Sequence, residues 1–228
     1  MRRILVFDVN ETLLDLRGMR GLFASVLGDA SLCHNWFRVL LRKMLVTTIT
    51  GPYVSFAELG AAALDQVAAA HERSLSPAEQ TKLLNGMRQL PPHNDVVPAL
   101  ERLRDGGFRC VAFSNGTPDV LHDQLASTGL HDMFERVASA HHAGRLKPAP
   151  EPYRWLAGEL GVSTDRLRMV AAHAWDTTGA QRAGCRAAFV ARSGKRLSAV
   201  DPQPDIVGPT LTDVADRLLD RPNPDMEA

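Results

Sequence analysis

The chain has 228 residues, 45% of them apolar and 23% charged, with 26 basic side chains balanced by 26 acidic ones. This is the composition of a globular protein long enough to bury a core without staples, and zero formal charge argues against a bulk electrostatic grip on nucleic acid or an anionic membrane. No apolar run reaches the roughly 18 residues that span a bilayer. Only Ile4–Phe7 separates the arginines of MRRILVFD from Asp8, too short for a signal peptide's apolar region, so a cytoplasmic protein is expected. Cys33, Cys110 and Cys185 form no CxxC pair and read as small buried hydrophobes.

Ile4–Phe7 reads as a buried strand ending at an acid. From residue 19 to about 90 the signals are helical. Trp36, Phe37, Leu40, Leu41, Met44 and Leu45 recur at helical spacing, and an alanine-rich stretch runs from Phe56 to His71. Ser76-Pro77 with Glu79 predicts a third helix opened by a capping box, and Pro91-Pro92 ends the block. Beyond residue 93 the pattern alternates: helix Val97–Arg104, strand Arg109–Phe113, helix Val120–Ser127, strand Arg136–Ala138, helix Pro152–Leu160, strand Met169–Ala172, helix Thr177–Ala183, strand Ala187–Val190 and helix Leu211–Leu219. This predicts an α/β fold, a Rossmann-like parallel sheet with helices on both faces. The first strand stands apart from the others, so the expected organisation is an α/β core of residues 1–15 and 93–228 interrupted by an α-helical cap of residues 16–92. The tail from Arg221, rich in proline and charge, is expected to fray.

Ligands of open parallel sheets bind beyond the carboxyl ends of the strands. Asp8 ends the first strand and Ser114-Asn115 the second, Lys147 lies in the loop Gly144–Pro148, and Asp176 follows the strand Met169–Ala172. Each alone is as well explained as a turn or cap residue. Four in this order along one sheet edge point to a shared crevice. His141-His142 have no cysteine or carboxylate to complete a metal set, and Gly194-Lys195-Arg196 belongs to no GxxxxGKS loop, so neither a metal nor a nucleotide site is expected.

The ordered motifs FDxxxTL, FSNG, LKPxPxxY and WDxxGA resemble those of the haloacid dehalogenase-like (HAD) hydrolase superfamily over nearly the whole chain, and the helical block sits where that superfamily inserts its cap. FDVNETLLDL, SNGTP, KPAPEPY and HAWDTTGA resemble its 2-haloacid dehalogenase branch. The resemblance implies that Asp8 is a nucleophile whose covalent intermediate is hydrolysed by water. It implies that Lys147 pairs with Asp8 and Asp176, that Thr12 orients Asp8, and that Ser114 holds a substrate carboxylate. It further places Asn115 on a departing halide, Tyr153 near the nucleophile and Asp176 on the hydrolytic water, with Val9, Asn10 and Trp175 completing the substrate pocket. A homodimer is also implied, with the apolar helices of residues 34–71 as candidate interface.

The superfamily's phosphatases carry a second aspartate two residues after the nucleophile, which protonates the leaving alkoxide, and they use magnesium. Here that position is Asn10, which delivers no proton. A halide is a very weak base and leaves unprotonated. The expected reaction is therefore displacement of halide from a small 2-haloalkanoate through an ester on Asp8, with no cofactor. A phosphatase or other hydrolase of a small metabolite (with Mg2+ in the phosphatase case) and a non-catalytic family member stand as alternatives.

Three departures from the branch stand out. Its cap arginine follows a tryptophan; alignment back from Tyr53–Phe56 puts Trp36 on that tryptophan and Phe37 on the arginine, with Arg38 about 100° further round the helix. Both Phe37 and Arg38 are candidates for the pocket. Serine and asparagine are usual where Ala171 and His173 stand, and His173 is a candidate base or hydrogen-bond donor. Glu11 replaces a common glycine, which predicts an altered turn.

Overall fold

Six parallel strands, β1 (Ile4–Phe7), β2 (Arg109–Ser114), β3 (Arg136–Ser139), β4 (Leu167–Ala171), β5 (Arg186–Val190) and β6 (Ile206–Gly208), form one sheet in the order β3-β2-β1-β4-β5-β6 in the computed structural model, which describes residues 4–220. The tail from Arg221 lies outside the described residues. Every residue of β1 is buried, so its sequence is continuously apolar rather than alternating. β1 pairs with β2 on one side and β4 on the other. The chain therefore fills the sheet outward to β3, returns across β1, and reverses direction there. The crevice such a reversal opens lies beyond the carboxyl end of β1, where Asp8 stands.

Between β1 and β2 lie α1 (Arg20–Leu27), α2 (Leu32–Thr50), α3 (Phe56–Ala70), α4 (Pro77–Asn85) and then α5 (Val96–Asp105). The apolar stripe of α2 buries Trp36, Phe37, Leu40 and Met44, and Trp36 Nε1 donates to Gly60 O at 2.9 Å, fastening α2 to α3. The capping box at Ser76 and Glu79 forms as the sequence predicts; a second, at Ser55 and Glu58, opens α3. The chain runs into and out of the helical block side by side: Asp15 N–H donates to Pro91 O at 2.7 Å and His93 N–H to Leu13 O at 2.9 Å. One apolar cluster runs from Leu5 and Phe7 of β1 into Trp36, Phe37 and Leu64 of the block, while Val6, Val111 and Phe113 pack on Tyr153 and Leu156 against the opposite face.

The remaining helices are α6 (Pro118–Ser127), α7 (Pro150–Glu159), α8 (Ala174–Arg182) and α9 (Leu211–Leu219). Among the described residues no helix is long and apolar enough to cross a membrane. Three elements depart most from the sequence expectation: α1 is a fourth helix in a block expected to hold three, and the others are β6 and α8. β6 was not foreseen, because three residues, Ile-Val-Gly, are too few to show a period. α8 begins at Ala174 rather than Thr177, with His173 at its N-cap, so Asp176 sits in the first helical turn, where the positive end of the helix favours a carboxylate.

α8 packs closely on the loop that carries Lys147. A Cβ at Gly179 would meet Pro148 Cβ and O at 2.6 Å and Tyr153 Oη at 2.8 Å. Gly179→Ala should cost roughly 1–3 kcal/mol by overpacking, measured as a fall in the thermal unfolding midpoint; an unchanged midpoint would refute this packing.

Candidate active site

β1 ends at Asp8, whose backbone N–H donates to Val170 O of β4 at 3.0 Å. The next residues turn sharply, Leu13 and Leu14 both donating to Val9 O. The turn brings Thr12 back under the carboxylate. Thr12 Oγ1 donates to Asp8 Oδ2 at 2.7 Å and accepts from Ala172 N–H at 2.9 Å, so its single proton is committed to Asp8. Glu11 lies in the same turn at φ +61°, the left-handed region that glycine favours. The altered turn expected from loss of glycine is thus corrected: glutamate occupies a glycine-type conformation. Its Oε2 accepts from Lys195 Nζ at 2.6 Å and lies 3.4 Å from His173 Nε2. Arg192 adds a second brace, donating to Thr12 O from Nε at 3.2 Å and from Nη2 at 2.9 Å while Nη1 binds Asp95.

Lys147 is fully buried and places its three N–H donors on three acceptors: Asp8 Oδ1 at 3.1 Å, Asp176 Oδ2 at 2.6 Å and Phe113 O at 2.9 Å. Burial opposes the ammonium's charge, but attraction to Asp176 and Asp8 outweighs it and raises the lysine above its ordinary pKa. Burial pushes the Asp176 carboxyl above the usual range, with repulsion from Asp8 adding to it and Lys147 only partly offsetting it. Two carboxylates sharing one cation account for both directions, since the trio is one proton short of neutrality in a dry setting. Tyr153 Oη donates to Asp176 Oδ1 at 2.5 Å. Asn115 clamps the lysine's own peptide, Oδ1 accepting from Lys147 N–H at 2.8 Å and Nδ2 donating to Lys147 O at 3.0 Å.

A small chamber of about 10 Å³, room for about one water, opens in front of Asp8. Of the residues expected in the pocket, Asn10, Phe37, Ser114, Asn115, His173 and Trp175 line it with Asp8. Thr12, Lys147, Tyr153 and Asp176 stand behind the Asp8 carboxylate instead. Asp176, expected on the hydrolytic water, is fully buried on Lys147 and Tyr153 and does not line the chamber. Val9 is buried with its carbonyl spent on the turn and does not line it either. Arg38 is exposed: Phe37 holds the apolar stripe of α2, and one residue further round turns the guanidinium outward. His173 stacks on Trp175 at 5.1 Å between ring centres and lies 6.2 Å from Phe37. Burial, reinforced by the Lys195 cation, lowers its pKa, so the ring is neutral at neutral pH. Trp175 Nε1 is buried without a hydrogen-bond partner. Leu41 and Phe56 also line the chamber. Leu41 is within reach of the sequence, one helical turn beyond Phe37; Phe56 is marked there only as a helix start and alignment anchor, and nothing pairs Glu11 with Lys195.

A family of hydrolases built on this sheet, with a strand-end aspartate and an insertion after β1, is thereby indicated. The family described as haloacid dehalogenase-like hydrolase matches residues 3–184, and the chain belongs to it. It is similar to (S)-2-haloacid dehalogenase 2 of Pseudomonas sp. (strain CBS-3), 28% identical over 90% of both chains. It is also similar to haloacetate dehalogenase H-2 of Moraxella sp. (strain B), 26% identical over 77% of this chain and 79% of the relative. The fold matches the solved L-2-haloacid dehalogenase of Xanthobacter autotrophicus with a TM-score of 0.91 at 23% identity, covering 97% of this chain and all of that one.

Arg38→Ala should leave kcat/KM within about twofold, because an exposed charge on the outer side of α2 touches nothing in the chamber; a tenfold loss in steady-state turnover would return it to the site.

Proposed function

We propose that the protein removes halide from small (S)-2-haloalkanoates, giving 2-hydroxy acids, through an ester on Asp8. The observation that carries the reading is the chamber itself: a carboxylate braced by an ammonium and a hydroxyl, facing apolar and amide groups, with Asn10 where a general acid would stand. The dehalogenase names of the relatives support it. An Asp8 oxygen attacks C2 opposite the halogen; the C–O bond forms as the carbon–halogen bond breaks, and the halide leaves with the bonding pair. Trp175, which lines the chamber and has a buried, unpartnered N–H, is the donor proposed for it in place of Asn115, whose amide is spent on the Lys147 peptide. Water then adds to the Asp8 carboxyl carbon. His173, neutral and at the chamber wall, accepts its proton and returns it to the departing 2-hydroxy group as the acyl C–O bond breaks. Lys147 holds the carboxylate in place through both steps. Asp176 acts by holding Lys147.

Magnesium, which the family's phosphatases use, does not fit this arrangement. Both carboxylates that would face the cation are engaged by Lys147, and Asn10 Oδ1 accepts from Gln124 at 2.9 Å. Among the described residues no group of three His, Cys, Asp or Glu side chains is placed to hold a metal ion. Catalysis without a metal is accordingly part of the proposal.

A single turnover in heavy-oxygen water should put the label into Asp8 and none into the first product molecule, read by mass spectrometry of the peptide that contains residue 8; label in the product alone would mean direct attack by water. Asp8→Asn should lower halide release at least about a thousandfold. Halide release from a panel of 2-haloacids should survive chelation by EDTA, whereas Mg2+-dependent hydrolysis of a generic phosphate ester, with no halide released, would favour a phosphatase.

A further inference from the structure

A second cavity, of about 240 Å³, lies between α2, α3, α4 and the start of α6. Trp36, Leu40, Phe56, Gly60, Leu84 and Met87 make its walls apolar. Asn10 and Gly116 form its inner end, and the exposed Thr81 and Asn85 mark its outer end. Asn10 and Phe56 also line the nucleophile chamber, so the two spaces share a wall. Asn10 is held in place within that wall. Gln124, fully buried, donates from Nε2 to Asn10 Oδ1 at 2.9 Å and to Met87 O at 2.8 Å, holding the small asparagine side chain from behind.

The sizes decide what each space can take. The chamber before Asp8 has room for about one water in the arrangement seen, far less than the neighbouring cavity, so the larger space is where a C2 substituent longer than methyl finds room. An apolar cavity of about 150 Å³ holds benzene, so the second cavity takes a phenyl ring or a short alkyl chain. Charge is not what it selects: Arg88, on its wall, is engaged with Asp119 and Asp123 at 2.6 and 2.5 Å.

We infer that this cavity is a substituent pocket that makes the enzyme selective for 2-haloalkanoates bearing an apolar chain of about four carbons, or an aryl group, at C2. The inference rests on the dehalogenase reading and narrows its substrate class. Each methylene moved from water into an apolar wall strengthens binding by roughly fourfold, so chain length is read directly in kcat/KM.

The test compares 2-bromopropanoate with 2-bromohexanoate, with halide release as readout. The native enzyme should favour the hexanoate by at least tenfold in kcat/KM. Two filling variants on opposite walls, Ala57→Phe on α3 and Val120→Phe on α6, should each lower the hexanoate value at least tenfold and leave the propanoate value within twofold. Turnover of the propanoate alone by the native enzyme, equal losses for both substrates, or no loss for the hexanoate in either variant would overturn the pocket while leaving dehalogenation standing. No halide from either substrate would remove the dehalogenase reading and the pocket with it.

Discussion

Everything in the site is arranged around the ammonium of Lys147, which is wholly cut off from water and satisfied by three acceptors. Removing one partner of a buried ion pair leaves an uncompensated charge worth about 3–5 kcal/mol, so the acceptors and the lysine have to be assembled together. They come from the ends of β1 and β2 and from the first turn of α8, three places that only a parallel sheet with its reversal at β1 brings to one point. The surrounding choices follow from that requirement. Asn115 fixes the lysine's peptide, Tyr153 fills the remaining valence of Asp176, and Gly179 has no side chain because Pro148 occupies that space.

Two sets of walls meet in front of this charge. Asp8, Ser114, Asn115 and His173 come from the sheet edge, while Phe37, Leu41 and Phe56 come from the helical block. The chain enters and leaves the block side by side at Leu13–Asp15 and Pro91–His93, and Met87 and Arg88 tie its far end to α6. A chamber with room for one water excludes any organic acid in the arrangement seen. Seating a substrate there therefore requires the walls that Phe37, Leu41 and Phe56 supply to give way.

The strand ends were legible because each short apolar run stops at a polar residue, and because the ordered motifs carried the resemblance. Asp8, Thr12, Ser114, Asn115 and Lys147 follow from those two signals. What escaped was decided by rotation or by long-range packing. Phe37 and Arg38 are neighbours in sequence, yet 100° of helix separates a chamber wall from solvent. Phe56 opens a helix, and nothing local shows which neighbour it will face. Asp176 looked like a loop residue because α8 begins before its apolar spacing does. The second cavity is a property of four helices at once, and no segment of sequence records it.

The loop after β1 is braced by Arg192 on Thr12 and Lys195 on Glu11, contacts that bridge about 180 positions along the chain. Both braces lie beyond residue 184, where the match to the family ends. A ribosome-bound chain that already contains every shared motif would still lack the ties that hold residue 11 in its unfavourable backbone geometry. The turn that carries Thr12 and Glu11 is therefore fully braced only once the chain has been made past residue 195.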